Sequence, residues 1–263
     1  HISRSYRWKF LLNPLGYKIR FVNSLLSVFS AYLINYTIPR AGDIARATMI
    51  SKYEKIPLEK TLGTIAAERA VDVICILIII CVGLIVEFNR LSEKLILLLE
   101  KRELSTILLY MGSFLLLLFI MYAIIKKTKY YKTISNFLKG VIEGLAVVFT
   151  MKKRNAFIFH SIFIWLMYIL MFWATSRAFT ELHELTFFQL MISFTLAALS
   201  VMFSNGGIGI YPLAVEETLG WYSIQSTTGL AFGWVSWISQ TMMVVIFGGL
   251  SLFVLPFINR NNS

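Results

Sequence analysis

The chain has 263 residues, of which 57% are hydrophobic and only 15% are charged, and its formal net charge is +11. Soluble globular proteins carry about 25% charged residues, so this composition excludes an ordinary soluble domain and indicates a polytopic integral membrane protein. The basic residues lie in loops between apolar runs. We interpret them as a topology signal and expect no nucleic-acid partner.

The N-terminal region predicts the orientation of the chain. It begins with His1 and has no signal-type segment, so we expect upstream sequence, including one or more spans, to be missing. The first 20 residues carry five basic side chains and no acid, and residues 126–154 carry eight basic side chains and one acid. Basic loops remain on the cytoplasmic side, so we expect both regions to be cytoplasmic. Three complete crossings between them would place them on opposite sides of the membrane. The three apolar segments between these regions, 21–36, 62–86 and 104–125, therefore cannot all cross.

The first apolar segment is the best candidate for one that does not cross. It is short and is followed by Pro39 and Gly42, which break helices. We predict a re-entrant hairpin over residues 21–53, open to the cytoplasm, because non-helical backbone at membrane depth needs a surrounding cavity or protein. After Pro57 we predict one helix of about 30 residues, so that residues 21–88 form a hairpin followed by a long helix.

The second half of the chain repeats this pattern. Residues 155–176 are predicted to cross, and the sequence FSNGGIGIYP, residues 203–212, then interrupts an apolar run with three glycines and a proline. The uncharged stretch 218–259 fits one long helix or two spans, and we favour one. Residues 185–258 would then form a second re-entrant hairpin with its long helix. Two broken segments in corresponding places predict an inverted-repeat transporter with its site at the repeat interface, and an all-α fold in a single transmembrane domain, residues 1–263.

The first hairpin carries a candidate anion site in the sequence PRAGDIAR. If a helix starts near Asp43, the aspartate can cap it, and Arg46 lies in its first turn near free backbone N–H groups. A helix N-terminus with Arg40 and Arg46 suits phosphate, because a planar guanidinium bonds two oxygens at once. The alternative is a topogenic basic loop in which Asp43 only neutralises an arginine.

A second group of charges lies in the sequence TIAAERAVDVICIL. Glu68, Arg69 and Asp72 share about 100° of one helical face in a run too apolar for a solvated helix. Placing an ionisable side chain within a membrane costs free energy, so we expect these residues to pair and to face a cavity or the bundle interior. The alternative is a helix whose first turns are still in water.

A third motif lies in the sequence SNGGIGIYPLAVEETLG. Gly206, Gly207 and Gly209 permit positive φ, and such a turn can present N–H groups to an anionic head group. The alternatives are close helix packing at the glycines and an interfacial role for Glu216. The sequence has no metal-ligand spacing, P-loop or nucleophile elbow, so we expect no cofactor, no metal and no enzymatic activity.

With these motifs placed, the chain resembles the flippase-like transmembrane family named after the membrane region of lysylphosphatidylglycerol synthase, also called the UPF0104 group. The family pattern P-G-R-x-G-E-x-x-R looks matched by Pro39, Arg40, Gly42, Asp43 and Arg46. The following E-R-x-x-D helix looks matched by Glu68, Arg69 and Asp72. The late P-G-G-x-G turn looks matched by Asn205 in place of proline, Gly206, Gly207 and Gly209. The segment RSYRWKFLL, residues 4–12, is also similar to one that closes an early span in the family.

The resemblance implies a flippase-like protein of the cell (inner) membrane that binds or translocates a phosphate-bearing phospho- or glycolipid. The arginines would hold the phosphate, and the acids would compensate the charge when the site is empty. Glu216, a turn after the glycine motif, is a further candidate site residue. Gln240 stands where the family has an arginine. A homo-oligomer is possible. Two alternatives remain open, a small-solute or ion secondary transporter and a non-transporting scaffold for a cell-envelope enzyme.

Overall fold

The computed structural model describes residues 1–39, 41–88, 151–201, 204 and 206–260. Within these ranges the chain forms α-helices and short 3-10 turns and has no β-strand, which confirms the all-α fold class. The described α-helices are α1 Ile2–Leu12, α2 Phe21–Thr37, α3 Gly42–Glu54, α4 Leu58–Val86, α5 Arg154–Ser176, α6 Phe187–Ser200, α7 Ile210–Gly220 and α8 Ser226–Ile258.

Three of the described helices, α4, α5 and α8, are long and apolar enough to cross a membrane. They contain 29, 23 and 33 residues, which at 1.5 Å per residue is about 44, 35 and 50 Å, more than the ~30 Å hydrocarbon core. Large apolar side chains cover their outer faces, such as Ile85 on α4 and Phe253 on α8, which are 76% and 80% exposed. The protein is therefore a membrane protein with transmembrane helices. The predicted span 104–125 lies outside the described residues.

Both long-helix predictions are confirmed. Pro57 precedes the first residue of α4. A proline is tolerated at a helix start, because an N–H there would have no partner within the helix. The stretch that fitted either one helix or two spans contains the single helix α8, which begins at Ser226. Residues 218–220 instead complete α7, because the chain turns at residues 221–225 before α8 starts.

The first hairpin consists of α2 and α3, which run antiparallel. At its base, Glu54 accepts hydrogen bonds from the Asn23 side chain at 2.6 Å and from the Arg20 backbone N–H at 3.2 Å. At its tip, the Gly42 N–H donates to Asn35 Oδ1 at 2.7 Å. A side chain cannot be accommodated at Gly42, because a Cβ would lie 2.2 Å from a backbone oxygen of α2. The hairpin is thus present, and its re-entrant placement in a membrane stays a prediction.

The second hairpin consists of α6 and α7, which are joined through the glycine turn. Gly206, Gly207 and Gly209 all have positive φ, at 66°, 79° and 74°, a region in which glycine is favoured because it has no Cβ. The glycine turn therefore has the positive φ angles that the sequence allowed. At its other end, α6 starts with a capping box formed by Thr186 and Gln189.

Each hairpin packs against the long helix of the other half. On α8, a Cβ at Gly248 would lie 2.7 Å from the Leu33 Cβ of α2, and on α4, a Cβ at Gly83 would lie 3.0 Å from Ile192 of α6. Gly248 in α8 thus permits close approach of α2, and Gly83 in α4 permits close approach of α6. Such reciprocal contacts are expected when two units are related by a two-fold axis. The inverted-repeat arrangement itself stays a prediction.

The base of the first hairpin and the end of α8 meet at one end of the bundle. The Arg20 side chain at the base of the first hairpin donates to Asn259, just after α8. Asn259 also exchanges reciprocal amide hydrogen bonds with Asn23, at 2.9 and 3.0 Å. The end of α8 therefore lies beside the base of the first hairpin.

Candidate functional site

A buried ion network joins α1, α3 and α4. Arg7 binds Glu68 Oε1 at 2.9 Å and Asp72 Oδ1 at 2.8 Å. Arg4 binds Asp72 Oδ2 at 2.8 Å, and Arg46 binds Glu68 Oε2 at 2.7 Å. All five residues are at most 6% exposed. Each carboxylate oxygen thus has a guanidinium partner, and the network ties three helices together.

Helical spacing brings these charges to one place. Glu68 and Asp72 are four residues apart and Arg4 and Arg7 are three apart, so each pair lies on one face of its helix. Ser161 of α5 accepts a further hydrogen bond from Arg7 at 2.9 Å. The two pairs face each other because α1 packs alongside α4.

Trp8 packs against the network. The Arg46 guanidinium carbon lies 3.7 Å from the centre of the Trp8 ring, a cation–π geometry that is favourable in a desolvated site. The indole N–H of Trp8 donates to Thr64 on α4 at 2.9 Å. These contacts hold the guanidinium plane of Arg46 in a fixed orientation.

The network has an excess of positive charge. It contains the guanidinium groups of Arg4, Arg7 and Arg46 but only two carboxylates, which leaves a formal net charge of +1. Arg46 Nε and Nη2 and Arg4 Nε have no hydrogen-bond partner among the described residues. Charge buried away from water is poorly screened, so the network makes its surroundings electropositive.

A cavity of about 520 Å³ lies where the tips of the two hairpins meet. In its wall, the Trp237 indole N–H donates to the Gly206 carbonyl at 2.8 Å. We call it the hairpin-tip cavity, and it is lined by polar and aromatic side chains from both halves of the chain: Tyr32, Asn35, Tyr36, Pro39, Asp43, Arg69, Val201, Ser204, Gly206, Tyr211, Trp237 and Gln240.

The described wall of this cavity has one ion pair, between Arg69 of α4 and Asp43 of α3. Arg69 Nε and Nη2 bind the two Asp43 oxygens at 2.9 and 2.7 Å, and the side chains are 41% and 35% exposed. The capping role predicted for Asp43 is wrong. Helix α3 begins at Gly42 with Ala41 at the N-cap, so it has no side-chain cap. Asp43 lies within the first turn, where both of its oxygens bind Arg69.

The structure divides the predicted site residues into groups. Asp43, Arg69 and Gly206 line the hairpin-tip cavity. Gly207 lies next to it, since a Cβ there would be 3.5 Å from Trp237 Nε1. Arg46, Glu68 and Asp72 belong to the buried ion network. They have partners in the protein and are at most 6% exposed.

Two described residues of the predicted site, Gly209 and Glu216, belong to neither group. Gly209 is the residue before α7, and a Cβ there would meet nothing within 4 Å. Glu216, further along α7, accepts a hydrogen bond from Ser226 at the start of α8 and is not among the residues lining the cavity. Arg40 and Asn205 lie outside the described residues.

Arg4 and Arg7 were missed by the sequence reasoning. Their positive charge was interpreted only as a topology signal, although they lie three residues apart in the segment RSYRW. Two arginines on one helical face beside a tryptophan are a signal for a buried pairing surface, since arginine both stacks on aromatic rings and pairs with carboxylates.

Comparison with known proteins identifies the family. The family described as the lysylphosphatidylglycerol synthase TM region matches residues 1–248. The chain belongs to this family. It is also similar to the UPF0104 membrane protein MJ1595 of Methanocaldococcus jannaschii, with 38% identity over 71 residues, which is 26% of this chain and 21% of the archaeal protein. The match therefore spans about a fifth of that relative's length, and no solved structure matches the chain. The family membership inferred from three motifs is confirmed.

Proposed function

We propose that this protein, as a multi-pass protein of the cell (inner) membrane, binds a phosphate-bearing lipid by its head group and moves it between leaflets. The observation that carries the proposal is the hairpin-tip cavity, with a half-exposed arginine in its wall, inside a helix bundle whose outer faces are apolar. Its volume of about 520 Å³ lies in the range of small-ligand sites. The acyl chains would remain in the bilayer beside the exposed apolar side chains of α4 and α8.

Arg69 has the chemistry that a phosphate needs. Its guanidinium already holds two oxygens of one carboxylate, and a phosphate presents two oxygens in a similar arrangement. A head-group phosphate would replace Asp43 as the partner of Arg69. Asp43 would then compensate the charge of Arg69 only when the site is empty.

The neighbouring ion network favours an anion in this cavity. The cavity pair Arg69–Asp43 is neutral, but the network beside it has a net charge of +1. The N-terminus of α3 also lies at the hairpin tip, where the helix dipole favours negative charge. The proposed transport needs no cofactor and no enzymatic step, and would be driven by an ion gradient or by lipid flow down its own gradient.

A flipping assay tests the proposal. The protein is reconstituted into phosphatidylglycerol vesicles that contain fluorescent phosphatidylglycerol, and dithionite quenching measures how fast inner-leaflet lipid reaches the outside. Arg69→Ala should slow flipping by about tenfold or more, the effect of losing a charge-assisted hydrogen bond. Arg154→Ala is the matched control, because Arg154 is an exposed arginine at the start of α5 and should leave the rate unchanged.

The same vesicles separate the alternatives. Flipping at the wild-type rate in Arg69→Ala would overturn the proposal. Uptake of free phosphate that depends on Arg69, without lipid flipping, would instead indicate a small-solute transporter. If neither activity is measured in wild-type vesicles, the scaffold interpretation is favoured.

A further inference from the structure

Two arginines from different helices approach the same carboxylate oxygen. Arg4 Nη1 lies 2.8 Å from Asp72 Oδ2, and Arg69 Nη1 lies 3.6 Å from that same atom. The other oxygen of Asp72 is bound by Arg7 at 2.8 Å. Both oxygens of Asp72 are therefore held at hydrogen-bond distance by α1, while Arg69 has only a long contact with it.

Without Arg4, the long contact between Arg69 and Asp72 would shorten into a hydrogen-bonded ion pair. The two residues are three apart on α4 and face the same side, a spacing at which oppositely charged side chains bind each other. Such a pair would draw the guanidinium along α4. Its bonds from Nε and Nη2 to Asp43, now 2.9 and 2.7 Å long, would then lengthen as the guanidinium turns out of the cavity wall.

We propose that Arg4 is a positioning residue for Arg69. By occupying Asp72, Arg4 keeps the Arg69 guanidinium turned into the hairpin-tip cavity, where a phosphate reaches it. Arg4 is 3% exposed and acts only through Asp72. The consequence for lipid transport rests on the proposed function, whereas the competition for Asp72 does not.

Arg4 is the informative residue to change. Its described ionic contact is with Asp72 alone, whereas Arg7 bridges Glu68 and Asp72 and also binds Ser161. Replacing Arg7 would therefore disturb the whole network. Replacing Arg4 removes one competitor and leaves both the Arg7 and the Arg46 pairs with Glu68.

The test measures how accessible Arg69 is in the purified full chain in detergent. Phenylglyoxal modifies accessible guanidinium groups, and mass spectrometry of the Arg69 peptide gives its rate of modification. In Arg4→Gln the rate should fall about fivefold, because Arg69 turns to Asp72 and a partly exposed ion pair shifts an equilibrium by about this factor. The double variant Arg4→Gln/Asp72→Asn should recover the wild-type rate, since the carboxylate that attracts Arg69 is gone.

If Arg4→Gln does not fold, Arg4→Met keeps an apolar side chain of similar length without the charge, and it should slow modification of Arg69 by the same factor of about five. Two further variants serve as controls. Arg4→Lys retains a cation for Asp72, and Asp72→Asn removes the competition, so Arg69 should be modified at the wild-type rate in both. Wild-type modification in Arg4→Lys together with slow modification in Arg4→Gln supports the proposal. A merely structural Arg4 would predict unchanged or faster modification in Arg4→Gln and no recovery in the double variant, and that result would overturn it.

Flipping rates in the same variants separate this inference from the proposed function. If the labelling follows the expected pattern but Arg4→Gln and Arg69→Ala flip lipid normally, the positioning role stands and the proposed function fails. If Arg69→Ala stops flipping but Arg4→Gln leaves Arg69 labelling unchanged, the function stands and the positioning role fails.

Discussion

Replacing Glu68 by glutamine should strongly destabilise the fold. Glu68 is 1% exposed and binds Arg7 through Oε1 and Arg46 through Oε2. Glutamine has nearly the same shape, so packing is kept while one charge is lost. The network would then contain three guanidinium groups and one carboxylate, and an amide NH₂ would replace one acceptor. Removing one partner of a buried ion pair costs about 3–5 kcal/mol.

Thermal unfolding in detergent measures this effect. For a chain of this size, 1 kcal/mol corresponds to about 2–4 °C, so Glu68→Gln should lower the apparent Tm by about 6–20 °C. All variants are heated at one rate, because unfolding of such proteins is often irreversible. Glu217→Gln, the same change at an exposed position on α7, is the control and should shift the Tm by at most about 2 °C.

A second variant tests whether charge is the cause. Arg46→Met in the Glu68→Gln background removes the guanidinium that has lost its partner, and should recover at least about 1 kcal/mol of the loss. The reasoning is refuted if Glu68→Gln shifts the Tm no more than the control does, or if Arg46→Met lowers stability further.

Three other predictions follow from the hairpin tips and the base. Gly42→Ala should cost about 1–3 kcal/mol, because its Cβ would lie 2.2 Å from the Ala31 carbonyl. Gly63→Ala, with nothing within 4 Å, should raise the Tm slightly, and equal shifts in the two variants would contradict the packing argument. Gln240→Arg adds a guanidinium to the described part of the cavity wall, which already has Arg69. It should tighten binding of fluorescent phosphatidylglycerol by about tenfold, which an unchanged affinity would disprove. Lys52→Cys, exposed on α3, should react with maleimide only from the cytoplasmic side, and labelling from outside alone would overturn the re-entrant hairpin.

The sequence was sufficient for features that depend on neighbouring residues. The helix α4 follows from a helical pattern that begins after Pro57, and the single helix α8 follows from a long stretch without charges. The breaks at Gly42 and at Gly206–Gly209 follow from residues whose backbone preferences are local. Family membership could also be inferred from the sequence, because it rests on short motifs in a fixed order.

The roles of the three charged residues on α4 were decided only by the tertiary structure. Glu68, Arg69 and Asp72 form one motif in the sequence, and a single ligand site was predicted for all three. In the structure, Glu68 and Asp72 are buried against α1, while Arg69 reaches Asp43 in the cavity. The separation depends on which helices pack on either side of α4, and that information is not local to α4.

The sequence by itself therefore determined the membrane class, the all-α fold, the two broken segments and the family. The tertiary structure decided which charges hold the helices together and which face the cavity. The physical reason is that an ion pair needs two partners within about 4 Å. Arg4 and Arg7 are more than 60 positions from Glu68 and Asp72, so only the packing of α1 on α4 brings them to that distance.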